Sequence, residues 1–334
     1  MRSTPGVLSN TSDIFWHGGS VSIFVETVAQ LLLSLWAMLV NILCIQILWR
    51  PQPGLDFNVK VLLINCSATY FYRSFHYGLM CAYHLWILYV GDTSLSSLIC
   101  IIIQYPYFVA NLNSYVYFFL IGLERMWSTY RIKLKSDQPK VRPTSYFVKR
   151  SILLCFPPIL ILTIVYPFFC RWTVLKTSTL DYCIIGKIFN EFGYKFSNTL
   201  ILIIQVLTCV VHGAVYFVNR WKYENLFANT ALYKLTLRLQ YSANLKITRW
   251  LTPISVFHCI WSFGTFFSMN FLRWFLPDVF KRAYFQAGRI LFVCMAFECL
   301  THPIMLIWWG DRKVYCFKKF CSVDHDFNLH NEKL

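Results

Sequence analysis

The chain has 334 residues, 57% of them hydrophobic and 14% charged, with 12 Trp, 30 Phe and a formal net charge of +16. So few charged residues leave a soluble protein of this size short of polar surface, which argues against a soluble globular domain. The positive balance would suggest nucleic acid in a soluble chain, but here the basic residues flank apolar runs, where membrane topology accounts for them, and nucleic-acid binding is set aside.

In chain order, residues 1–20 are a short segment carrying the sequon Asn10-Thr11-Ser12, a glycosylation acceptor if that end is exoplasmic. The segment lacks the pattern of a cleaved signal peptide, so the first apolar run is expected to direct insertion. Seven apolar runs follow: Val21–Trp49, Val59–Tyr83, Ser97–Leu123, Ile152–Arg171, Phe192–Arg220, Leu251–Phe275 and Ile290–Trp309. Each can cross the ~30 Å hydrocarbon layer at about 1.5 Å per residue. The expected fold is therefore all-α, a seven-transmembrane-helix bundle over residues 21–309, with residues 310–334 as a cytoplasmic tail.

The connections set the orientation. Between the third and fourth runs stand Arg125, Arg131, Lys133, Lys135, Lys140, Arg142, Lys149 and Arg150 against Asp137 as the acid. Arg220–Arg249 adds Arg220, Lys222, Lys234, Arg238, Lys246 and Arg249, whereas the alternate connections are poor in Lys and Arg. Lys and Arg favour the cytoplasmic side, which puts the amino terminus outside. Pro139 and Pro143 make the loop after the third run short and stiff. Glu224–Arg249 mixes apolar and basic residues without proline and is expected to be a helix running into the sixth span. The tail begins with basic and aromatic residues that suit an amphipathic helix on the inner leaflet, with Cys316 or Cys321 as palmitoylation candidates.

Of the 13 cysteines, most lie inside runs, where a thiol behaves as a small apolar group. Cys100, at the outer start of the third run, and Cys183, in the connection before the fifth, share the oxidising side, which favours a bridge between them over two unpaired thiols.

The third run ends in Leu123-Glu124-Arg125-Met126-Trp127. That acid-arginine pair resembles the Asp/Glu-Arg-Tyr element of G-protein-coupled receptors, and its separation from Cys100, a helical rise of about 38 Å, matches the receptor pattern. The more detailed resemblance is to nematode serpentine chemoreceptors of the alpha, beta and epsilon grouping, with epsilon nearest. It rests on Leu123-Glu124-Arg125 followed by Ser128-Thr129, Leu235-Thr236-Leu237-Arg238-Leu239-Gln240 with Asn244, and His302-Pro303. Leu239 and Ala243 depart from that pattern, and the Asn-Pro-x-x-Tyr element of rhodopsin-like receptors is absent. The resemblance implies a plasma-membrane chemosensory receptor, placed in a sensory cilium, that binds a small external ligand, activates a heterotrimeric G protein and needs no cofactor. It implies G-protein coupling at Glu124 and Arg125. Glu124 is expected to restrain Arg125, with Arg238 or Gln240 near the sixth span completing the restraint.

Charge at membrane depth points to ligand sites, because an ionised group in hydrocarbon must be paired or hydrated. Arg73 lies roughly 20 Å from the inner interface and Glu298 roughly 13 Å from the outer one, so the two share a depth. Their pair is read as a ligand site or, equally, as a structural bridge. Glu26, His76, His258 and His302 are further candidates, and Tyr77, Tyr105, Trp261 and Phe266 supply an aromatic wall. A transporter or channel would need an aligned polar path, and a membrane enzyme a metal or nucleophile cluster. The scattered Gln30, Asn41, Asn198, Gln205 and His212, and the absence of a His-x-x-x-His or paired-acid motif, favour a receptor that is not an enzyme and holds no metal.

Overall fold

A computed structural model describes residues 20–50, 56–90, 95–131, 144–170, 179–180, 188–227, 233–275 and 277–308. Among these, seven long helices form an all-α architecture: α1 Ser20–Trp49, α2 Phe57–Val90, α3 Ser97–Arg131, α4 Thr144–Phe169, α5 Glu191–Phe227, α6 Tyr233–Phe275 and α7 Pro277–Trp308. Asn10, Cys183, the Pro139 loop and the tail with Cys316 and Cys321 lie outside the described residues.

Local chemistry sets the ends. The α1 helix stops at Trp49, just before the Arg50-Pro51 step that disfavours helical backbone. Asn190 caps α5, its Oδ1 accepting from the Gly193 N–H at 2.6 Å, and Pro277 opens α7 at the position where a missing N–H costs nothing. Of the expected helix over Glu224–Arg249, Glu224–Phe227 closes α5 and the part from Tyr233 opens α6, with residues 228–232 outside those described.

The helices pack in sequence as a closed ring, α1 against α2 and α7, with α3 crossing the interior to touch α2, α4, α5 and α6. Beyond α4, a two-residue antiparallel pair joins β1 (Leu95–Ser96) to β2 (Thr179–Leu180), with Leu95 opposite Leu180. That pair fastens the segment between α4 and α5 to the start of α3. Cys100, fully buried there, is disulfide-bonded.

Polarity is inverted relative to a water-soluble bundle. Asn41, Arg73, Ser114, Arg125, Gln205, His212, His258 and Glu298 are buried, while Trp36, Leu153, Phe168, Val210, Phe217 and Ile260 are exposed. Exposed Trp49, Trp127, Trp221 and Trp308 mark the carboxyl-terminal ends of α1, α3, α5 and α7, and Trp86 and Tyr89 mark the opposite rim. Antiparallel neighbours make each set one level of the bundle, the pattern of aromatic rings at two membrane interfaces. Among the described residues, two helices, over Phe24–Trp49 and Glu191–Asn225, are long and apolar enough to cross a membrane by length and composition, and Leu153–Phe169 and Val293–Trp308 are shorter apolar stretches. This is consistent with a multi-pass membrane protein. Hydropathy does not single out the other expected spans, because buried polar residues such as Arg73, His76, Asn111, Asn113, His258 and Ser262 lower their apolar character from within.

Gly193 shows how tightly α5 approaches α4: a Cβ there would sit 2.5 Å from the Cβ and 2.8 Å from the Cα of Phe169. Gly193→Ala should force backbone apart and cost roughly 1–3 kcal/mol. Gly213→Ala, where a Cβ meets nothing within 4 Å, is the matched control. Thermal unfolding in detergent checks the pair, and equal midpoints would refute the close packing.

Candidate functional site

The interior holds a charged cluster drawn from four helices. Arg73 on α2 is fully buried, at 0% exposure, and its Nη2 donates to Glu298 Oε2 on α7 at 2.9 Å, with Glu298 at 2%. The matched depths read from the sequence therefore correspond to a direct ion pair. Arg73 Nη1 donates to Ser114 Oγ on α3 at 2.9 Å. Tyr115 on α3 donates to Glu298 Oε2 at 3.4 Å. Ser262 Oγ and His258 Nδ1, one turn apart on α6, lie 3.0 and 2.8 Å from Oε1. Four donors around one carboxylate, two per oxygen, offset the cost of burying the charge.

Rings wall the cluster. The Arg73 guanidinium lies 5.0 Å from the Tyr70 ring centre and 5.8 Å from that of Tyr115, within the range of cation–π attraction. His302 stacks on Tyr70 at 4.5 Å, Tyr115 stacks on His258 at 5.2 Å, and Phe118 packs against both histidines. One turn outward, Tyr77 and Tyr107 share a 2.5 Å hydrogen bond and both approach Met295 Sδ, while His76 stacks on Tyr107.

Of the expected ligand residues, the structure gathers Arg73, Tyr77, Glu298 and His302, and adds Phe266, whose ring meets Tyr115 edge-on at 6.1 Å. Tyr105 is turned away: its hydroxyl pairs with Thr163 on α4 at 2.6 Å and its ring meets Tyr166. Trp261 lies on the α6–α7 seam, donating to the Cys294 carbonyl at 3.0 Å, and Glu26 is exposed on α1. Tyr70, Tyr107, Ser114, Tyr115 and Ser262 were not foreseen. The three- and four-residue spacing of Tyr107, Asn111, Ser114 and Phe118 places them on one face of α3, and that was the available signal.

A second buried network closes the opposite end of α3. Arg125, 1% exposed, donates through Nη1 to Asn244 Oδ1 on α6 at 3.0 Å and pairs through Nη2 with Asp56, which stands at the start of α2 and is half-exposed. Asn244 Nδ2 donates to Thr129 Oγ1 at 2.7 Å and to Asn219 Oδ1 on α5 at 3.1 Å, and Asn219 Nδ2 donates to Thr129 Oγ1 at 2.9 Å. Three helices and the head of a fourth thus meet at one arginine.

This arrangement corrects the expected restraint. Glu124, next to Arg125 but about 100° round the helix, accepts from Asn58 Nδ2 at 2.9 Å on α2. Among the described residues, the acid on Arg125 is Asp56 and its α6 partner is Asn244. The side chains of Arg238 and Gln240, the expected α6 partners, lie outside what is described.

Among the described residues, no group of His, Cys, Asp and Glu could hold a metal ion. No family model matches the chain, and no curated protein is similar enough to match it.

Proposed function

We propose that the chain is a seven-helix plasma-membrane receptor that takes a small external ligand near Arg73 and Glu298 and activates a heterotrimeric G protein at the Arg125 end. The single observation supporting this most is that two buried polar networks, which share α6 and the α2 segment, meet α3 at two separate levels. Ser114 and Arg125, which anchor them, are separated by a rise of about 16 Å. A ligand that alters the first network changes how α2, α6 and α7 sit against α3. The second network, built on α3, α5 and α6, is biased by the same helices, and that shared two-state element is what coupling between sites requires. The basic connections give the Arg125 end its cytoplasmic orientation. The resemblance to nematode chemoreceptors favours a sensory cell and its cilium.

A transporter would use its interior polar groups to line a route. Here Glu298, Arg73, Asn244 and Asn219 bond one another across helices at two separate levels, which favours the receptor. The test is nucleotide exchange on purified heterotrimeric G proteins by the full chain in nanodiscs, across a panel of small volatile and water-soluble compounds. At least one compound should raise exchange above the receptor-free rate. Exchange fixed at that rate across the panel, with solute flux in proteoliposomes, would replace the receptor with a carrier.

A further inference from the structure

Glu298 is shared between two parts of the bundle, one per oxygen. Oε2 faces Arg73 of α2 and Tyr115 of α3, whereas Oε1 faces Ser262 and His258 of α6. If the first set lets go, the second still satisfies a carboxylate oxygen. Arg73 is meanwhile unsaturated: its Nη1 serves Ser114, its Nη2 serves Glu298, and its Nε is buried with no hydrogen-bond partner. Nε and Nη2 form one edge of the guanidinium fork, the edge that matches the two oxygens of a carboxylate. Glu298 therefore uses one prong of a two-pronged donor. A buried N–H left open in this way carries a desolvation penalty that a better-fitting oxyanion would remove.

The wall next to the pair continues this pattern outward. Tyr77 lies one turn beyond Arg73, Met295 one turn beyond Glu298, and Tyr107 and Asn111 follow Ser114 along the same face of α3. The Asn111 Oδ1 is buried and without a hydrogen-bond partner. Two phenols, one amide and a thioether among aromatic rings suit the apolar body of a small molecule with few polar atoms. The ion pair decides the sign of its head group. A cation would have to draw Glu298 from four donors on three other helices, whereas an anion need release only the two contacts on Oε2, those of Arg73 and Tyr115.

We propose that this site takes a small ligand bearing a carboxylate on an apolar body. The carboxylate occupies the Nε and Nη2 edge of Arg73 and displaces Glu298, which His258 and Ser262 retain. The inference deepens the receptor reading and rests on it for its consequence. On displacement, α7 stays with α6 and parts from α2 and α3, so a ligand contact of a few atoms becomes a relative shift of two helix pairs.

The experiment follows thermal unfolding of the purified full chain in nanodiscs with butanoate, hexanoate, their methyl esters, and butylamine and hexylamine. The carboxylates should raise the midpoint and the esters and amines should not. In Glu298→Gln the internal competitor is gone, and the concentration of hexanoate needed for half the shift should fall about tenfold or more. Arg73→Gln should lose the response, and Arg73→Lys, which keeps the charge without the fork, should lose most of it. Carboxylates without effect, esters as effective as acids, undiminished affinity in Arg73→Lys, or amines that respond with the opposite mutant pattern would each overturn the proposal. If Glu298→Gln is not recovered folded, the wild-type and Arg73→Lys arms decide. Nucleotide exchange on the same samples separates the two readings. Carboxylate binding without exchange sinks the receptor and leaves the site. Exchange driven by a compound indifferent to Arg73 and Glu298 sinks the site and leaves the receptor.

Discussion

Glu298→Gln should be the most damaging single change in the bundle, lowering stability by about 3–5 kcal/mol, because it strands a buried guanidinium. Arg73 would keep a hydrogen bond to Ser114 and the faces of Tyr70 and Tyr115, none of which carries a negative charge. Arg73→Gln should cost less. Glu298 keeps three of its four contacts, to Ser262, Tyr115 and His258, the last 2.8 Å from Oε1. The double replacement should fall well short of the summed losses, since it removes both charges together. Surface yield in cells and thermal midpoints in detergent check the order Glu298→Gln, then Arg73→Gln, with the double recovering much of the difference. Additive losses would show that the two charges do not interact, whatever their separation.

The second large effect belongs to Arg125. Arg125→Ala should abolish ligand-stimulated nucleotide exchange while leaving ligand binding intact, because it removes a group far along α3 from Arg73 and Glu298. Asp56→Asn should do the reverse and raise basal exchange. A coupling of one to three kcal/mol corresponds to roughly a 5- to 150-fold change, and loss of the Asp56 contact should reach about the lower end, since Asp56 is half-exposed and partly screened. Asn244→Ala should raise basal exchange further, as it leaves Thr129 and Asn219 short of a partner on α6 as well. Glu124→Gln should change basal exchange little, because that carboxylate holds Asn58. Exchange assays on matched amounts of protein, which rest on the proposed function, give the answer. A Glu124→Gln effect larger than that of Asp56→Asn would restore the adjacent acid as the restraint.

How far the sequence reached can be judged residue by residue. The apolar runs each became a helix because an apolar segment in lipid must satisfy its backbone internally, and few alternatives exist for such a segment. Where Pro51 and Asn190 stood, local sterics and capping fixed the boundaries. Arg73 and Glu298 were legible as a pair because each is costly alone and their depths follow from counting along two helices. Partners of ordinary polarity were not legible in this way. Ser114, Ser262 and Tyr115 resemble many other residues on their helices, and only the rotation of each helix about its axis brings them to one carboxylate. The same rotation turns Tyr105 toward Thr163 and Trp261 onto the α7 backbone. At Arg125 the sequence offered Glu124 as the nearest acid, but chain neighbours on a helix diverge by about 100°, and Glu124 turns to Asn58 instead. Asp56 reaches that arginine from a distant part of the chain, at the head of α2, and Asn244 reaches it across the bundle. Composition and periodicity thus determined which segments are helical and which side chains are too costly to stand unpaired. Helix rotation and the packing of α3 among its neighbours decided which partners those side chains obtained, because such contacts join residues whose separation along the chain carries no local signal.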